Sequence, residues 1–264
     1  MNIFIFELKT YAKSTALWSV AMILLIASSM AKFSTYQSSG LSIQELMASF
    51  PKSIQAMFGL TGLDLTTPSG FYGLTFLYVL LVAAIHASLL GANILSKEER
   101  DNTEEFLFVK PISRNSVLLQ KLFAALLLLL IFNVITLLAS LVITALVSGS
   151  QSATTHILLM VSGLFFVQLL FFSIGFVSGA MSRGGKGAAG IPVAFLLVSY
   201  LIYVITGVSG KVNVLKFVSP INAIDAKNII DKTALPSIAM LTMAIISYIL
   251  IHRAFTYYRR KNLD

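Results

Sequence analysis

Residues 117–147 read VLLQKLFAALLLLLIFNVITLLASLVITALV, a run whose single charge, Lys121, falls near its start. About 20 consecutive apolar residues suffice for a helix to cross the hydrocarbon core of a bilayer. This run is longer than that. Five further stretches of the same character, 16–31, 71–95, 157–181, 188–208 and 235–251, lie on either side of it and contain no Asp, Glu, Lys or Arg. The whole chain of 264 residues is 57% apolar and 11% charged, with a mean hydropathy of +0.87. A soluble globule of that composition would have too little polar surface to stay dispersed. The sequence therefore predicts an all-α integral membrane protein with one transmembrane domain over residues 1–264. The first stretch lacks a cleavage site of small residues and follows a charged segment, so it reads as a retained span and not a signal peptide.

The chain has no cysteine, which removes disulfides, iron–sulfur clusters and thiol catalysis. Its net charge of +8 would suggest nucleic acid in a soluble protein, but here the basic residues flank apolar spans, and no nucleic-acid partner is expected. With both termini inside, thirteen of the nineteen Lys and Arg residues fall on inner segments and six on outer ones. That asymmetry predicts a multi-pass protein of the cell membrane with cytoplasmic termini. Tyr11, Trp18, Tyr257 and Tyr258 suit an inner aromatic belt.

Between the spans the pattern is amphipathic. Ile3, Phe4, Phe6 and Leu8 fit a helix lying in the interface, with Glu7, Lys9 and Lys13 toward water, or a frayed basic anchor. Ile43, Leu46, Met47 and Phe50 recur at helical spacing until Pro51, and Ile54, Met57 and Phe58 continue it until Gly59. A further short helix is expected over 221–230. His86, Asn93, Asn133 and Gln168 read as hydrogen-bonding partners between helices or, alternatively, as residues lining a pathway. Gly175 and Gly179 form a G-x-x-x-G, which allows close approach of a neighbour that the sequence does not name.

The loop SKEERDNTEEFLFVKPISRNSVLLQK, residues 96–121, is the most informative segment outside the spans. Asp101 with Glu104 and Asn102 with Glu105 have capping-box spacing, so a helix is expected to start near Thr103 and to stop before Pro111. It would present Phe106, Leu107, Phe108 and Val109 on the inner side. Such an apolar knob rimmed by charge suits docking to a partner, and equally suits lying back on the bilayer.

The run Glu99, Arg100, Asp101, Asn102, Thr103, Glu104, Glu105, Phe106, Leu107, then Pro111, Ile112, Ser113, Arg114 and Lys121, resembles the E-R-x-x-G-T-x-E-x-L…P-[IV]-S-R…K segment of ABC-2 type permeases. Asn102 stands where that family usually has glycine. Phe50, Pro51, Ile54, Phe58 and Gly59 loosely match another family pattern, L-P-x-x-L…F-G. The resemblance implies a cytoplasmic coupling helix in this loop that seats on a separate ABC ATPase subunit. The ATPase-coupling residues it implies are Glu99, Arg100, Thr103, Glu104, Glu105, Phe106, Leu107, Pro111, Ser113 and Arg114. It further implies a second permease subunit, identical or sister, around a translocation path for export. ATP and Mg are then expected in the partner ATPase, with no cofactor in this chain.

Gly184, Gly185, Lys186 and Gly187 lack the spacing of a phosphate-binding loop and follow no strand, so the chain is expected to be a permease and not an enzyme. Gly207, Val208, Ser209 and Gly210 spell G-x-S-G, but Ser209 and His252 belong to opposite ends of their spans, about 30 Å apart. Proton transfer needs roughly 3 Å. His86 and His156 have no second ligand at helical spacing, which argues against metal. An ion-coupled secondary carrier would require ionisable groups near mid-membrane, and a non-transporting scaffold would require no path. Spans with so little charge favour a lipophilic or amphipathic cargo.

Overall fold

A computed structural model describes residues 3–39, 49–101, 103, 113–148, 153–182, 187–208, 216 and 219–260. Among them, helices follow one another as α1 (Ile3–Ser39), α2 (Lys52–Met57), α3 (Pro68–Arg100), α4 (Arg114–Ser148), α5 (Thr154–Met181), α6 (Gly190–Val208), α7 (Pro220–Ala223), α8 (Ala226–Lys232) and α9 (Ser237–Arg260). Six of these, α1, α3, α4, α5, α6 and α9, are long and apolar enough to cross a membrane. They run alternately between a cap end, where α2, α7 and α8 lie, and a loop end, where α3 gives way to α4.

The first helix departs from expectation. No glycine or proline interrupts residues 3–39, so the segment before the span does not lie separately in an interface but continues into it as one helix of 37 residues. Ile3 is buried, and Glu7 is buried rather than turned to water. The reason is electrostatic: two lysines from other helices converge on its carboxylate.

The bundle is organised around α3 and α5, whose apolar surfaces are mostly covered, while α1, α4, α6 and α9 expose most of theirs. Such surface is what a hydrocarbon solvent accepts. The α3–α5 seam is set by small residues. A Cβ at Gly91 would fall 2.3 Å from the Phe172 carbonyl oxygen, one at Gly175 would fall 2.4 Å from that of Ser88, and one at Gly179 would fall 2.5 Å from that of Ala92. Only hydrogen fits at those three points. The G-x-x-x-G of the fourth span therefore has its neighbour in the second, which answers it with Ser88, Gly91 and Ala92.

Around this pair, α1 packs on α4 and α3, α9 packs on α5, and α6 packs on α2, α3 and α5. Asn133 on α4 donates to Gln168 Oε1 on α5 at 2.9 Å, the interhelical bond expected of these residues. His86 behaves differently. Its ring stacks on Phe132 with centroids 4.5 Å apart and lies 5.9 Å from the Trp18 ring, and its Nδ1 meets no hydrogen-bond partner among the described residues.

Local signals explain the ends. Thr67 caps α3, its hydroxyl accepting from the Gly70 N–H at 3.1 Å, with Pro68 in the first turn where its missing N–H costs nothing. Pro51 does not simply end a helix. Its carbonyl accepts from Ile54 and Gln55 and so starts α2, while residues 43–48 lie outside the described set. The helix expected over 221–230 is two, α7 and α8, broken at Ile224 and Asp225. At the cap end Tyr200 Oη donates to the Met57 carbonyl at 2.8 Å, tying α6 to α2. His156, expected in a loop, lies in the first turn of α5 with Nδ1 2.9 Å from Ser69 Oγ on α3.

Candidate functional site

The loop between α3 and α4 begins from two tightly defined helix ends. Glu99 and Arg100 occupy the last turn of α3, where basic side chains complement the partial negative charge of the helix C-terminus. Arg100 is exposed and donates from Nη1 to Asn93 Oδ1 and from Nε to Asp101 Oδ1, each at 3.2 Å. The chain then folds back over the helix end, with the Thr103 N–H donating to the Glu98 carbonyl at 2.8 Å. On the return side Ser113 precedes α4 and its hydroxyl accepts from the Ser116 N–H at 3.3 Å, the arrangement of a serine cap. Arg114 Nη1 donates to the Arg259 carbonyl at 3.3 Å, and Arg259 Nε donates to Asn115 Oδ1 at 2.6 Å. The end of α9 is thereby clamped to the start of α4.

Of the residues expected to couple, Glu99, Arg100, Thr103, Ser113 and Arg114 are thus gathered at one end of the bundle. Glu104, Glu105, Phe106, Leu107 and Pro111 lie outside the described residues, as does the helix expected to begin near Thr103.

Immediately inside the loop base sits a cluster of four charges, of which Glu7, Lys97 and Lys121 are buried and Glu98 is half-buried. Lys121 on α4 is fully buried, and its ammonium meets Glu98 Oε1 at 2.5 Å, the Ile94 carbonyl at 2.6 Å and Glu7 Oε1 at 3.1 Å. Three acceptors match the three donors of a lysine. Lys97 on α3 donates to Glu7 Oε2, lies 3.9 Å from Glu98, and sits 5.1 Å from the ring centroids of both Phe6 and Tyr11. Two carboxylates and two ammoniums cancel, and the aromatic faces add attraction for the cation. Removing a charge from water costs several kcal/mol, which only close pairing with saturated hydrogen bonds offsets. The cluster therefore fixes α1, α3 and α4 in one relative position, close to where α3 ends and α4 begins.

Sequence reasoning placed Lys97 and Lys121 among the inner charges but missed that they meet Glu7 and Glu98. One signal was present: an ionisable residue inside an apolar run, such as Lys121, requires a partner. Nothing in the spacing names Glu7, which is separated from Lys97 by 90 positions.

Six apolar helices around a small-residue seam, with a paired cluster of charges at one end, define a multi-pass helical membrane protein. Residues 1–262 match the family model described as ABC-2 family transporter protein. The chain belongs to that family, whose members are the membrane permeases of ABC transporters and not their catalytic subunits. A search of curated proteins returned no match.

Proposed function

We propose that this chain lines the translocation path of an ATP-driven exporter and receives the motion of a separate ABC ATPase through the loop of residues 99–114. In this reading both termini and the loop face the cytoplasm, and a second permease subunit completes the path. ATP and Mg are bound by the partner, and the cargo is lipophilic or amphipathic. The observation that carries the proposal is the neutral ion cluster Glu7–Lys97–Glu98–Lys121 close to where α3 ends and α4 begins. A lever needs a rigid root, and a loop rooted in three helices at once can pass a push to all of them. An ion-coupled carrier would instead need an ionisable group free to exchange its ion at mid-depth, whereas these four charges are mutually paired at one end.

The test is the double substitution Phe106→Ala with Leu107→Ala. Truncating one buried interface anchor typically costs about 2 kcal/mol, or roughly thirtyfold in affinity. Recovery of the ATPase per inserted permease, and ATP-dependent efflux, should both fall sharply while permease insertion stays normal. Unchanged recovery with intact transport would refute the coupling role of the loop.

A further inference from the structure

Between α1 and α3, a cavity of about 100 Å³ is lined by Tyr11, Ser14, Thr15, Trp18, His86 and Asn93 together with leucines of α3. It opens along the seam between the two helices, where Ser14 is exposed and Tyr11, Trp18, Leu89 and Asn93 are half-buried. Thr15 is eight residues beyond Glu7 and His86 eleven before Lys97, about 12–16 Å along their helices at 1.5 Å per residue, while Tyr11 at the near end of the cavity faces Lys97 at 5.1 Å. Two of its polar atoms lack partners among the described residues, Thr15 Oγ1 and His86 Nδ1, on side chains only 4% and 3% exposed. An unpaired donor or acceptor in such surroundings costs free energy that a bound polar group recovers.

The lining carries hydroxyls, an amide, an imidazole and an indole, and no Asp, Glu, Lys or Arg. The two cations that reach the lining are already engaged: Lys97, 5.1 Å from the Tyr11 ring centroid, pairs with Glu7, and Arg100 is held by Asn93 and Asp101. An ionic ligand group would lose its hydration here without a counter-charge. A neutral hydroxyl or amide, able to donate to one orphan and accept from the other, would not. The volume holds several waters, or one small headgroup, but not an acyl chain as well. Outward from Leu89, the half-buried face of α3 continues through Ile85, Val82 and Tyr78, an apolar strip on which a chain can lie.

We infer that the Thr15–His86 cavity is a subsite for the uncharged, hydrogen-bonding headgroup of an amphiphile whose tail lies along α3. The inference rests on the amphipathic-cargo reading above and names the chemistry of the headgroup within it.

The chain supplies its own reporter, because its single tryptophan, Trp18, lines the cavity. The full-length permease, in phosphatidylcholine nanodiscs without any ATPase, is titrated with 9,10-dibromostearoyl glycerol, dibromostearate and dibromostearoyl choline. Bromine quenches tryptophan at short range, and the three probes differ only in headgroup. Quenching of Trp18 should saturate with the glyceryl probe at a concentration at least about tenfold below either ionic probe. Thr15→Val, which keeps the side-chain shape, should weaken it about fivefold, as loss of one hydrogen bond would. His86→Gln is the second variant, and circular dichroism confirms the fold of both. Linear quenching equal for all three probes, preference for an ionic headgroup, or indifference to both substitutions would overturn the inference. Displacement of the probe by an equal concentration of free glycerol would overturn the amphiphile part of it. Because no ATPase is present, failure here leaves the coupling experiment untouched, and failure of the coupling experiment leaves this one standing.

Discussion

Replacing Lys121 by methionine isolates the contribution of the buried ion cluster. The side chain keeps most of its length, but Glu7 and Glu98 lose the ammonium that touches both, and the Ile94 carbonyl loses its donor. Removing one partner of a buried pair costs about 3–5 kcal/mol, because the stranded charge stays desolvated. The lower end applies here: Lys97 remains to balance one carboxylate, and Glu98 is the more hydrated of the two, 12% exposed against 1% for Glu7. At about 2–4 °C per kcal/mol for a chain of this size, a loss of about 3 kcal/mol lowers the unfolding midpoint by roughly 10 °C. The assay is thermal unfolding of the detergent-purified permease. The decisive measurement is the double variant with Glu98→Gln, which leaves Glu7 and Lys97 as a neutral pair. Glu98→Gln should be destabilising on its own yet restore more than half of the midpoint lost in Lys121→Met, a coupling expected only of groups in one network. If Lys121→Met is as stable as the parent, or if the two losses simply add, the cluster does not act as described.

Two further outcomes are expected. Gly175→Ala should abolish the folded bundle, because its Cβ would meet the Ser88 backbone oxygen at 2.4 Å, whereas Gly190→Ala, with nothing within 4 Å, should leave expression and gel-filtration behaviour unchanged. Single cysteines at Ser38, Asn102, Ser182 and Lys261, in a chain with no native cysteine, should react with an impermeant thiol reagent in intact cells only at Ser38. Labelling at Asn102 or Lys261 without permeabilisation would invert the topology and remove the coupling proposal.

How much of this was legible in the sequence depended on the range of the interactions. The six spans follow from local hydropathy, and Pro68, Ser113 and Ala153 mark where three of their helices start. The first helix was foreshortened because hydropathy weighs Glu7, Lys9 and Lys13 as boundary signals, while the backbone responds only to the absence of a breaker. The glycine pair 175/179 was visible as a motif, but its partner was not, since Ser88, Gly91 and Ala92 are unremarkable until the helices are side by side. His86 was expected to bond across helices, and it stacks on Phe132 instead, because its neighbours on α1 and α4 are aromatic where it touches them. The ion cluster is the clearest limit. Lys121 stands just inside an apolar run, the other three charges look like ordinary flanks, and only the tertiary arrangement shows that the four coincide.

The uninterrupted first helix carries one more implication. At 1.5 Å per residue its 37 residues extend about 55 Å, well beyond the roughly 30 Å of hydrocarbon it has to cross. With neither glycine nor proline along its length, it has no joint at which a displacement can be absorbed. Glu7 pins its near end to α3 and α4, while Ser29 Oγ touches Thr75 Oγ1 at 2.5 Å and Phe33 rests on Phe71 further along. A shift of the charged root by one ångström therefore reappears at Lys32 and Tyr36 on the opposite face of the membrane, as motion of a stiff rod seated at both ends.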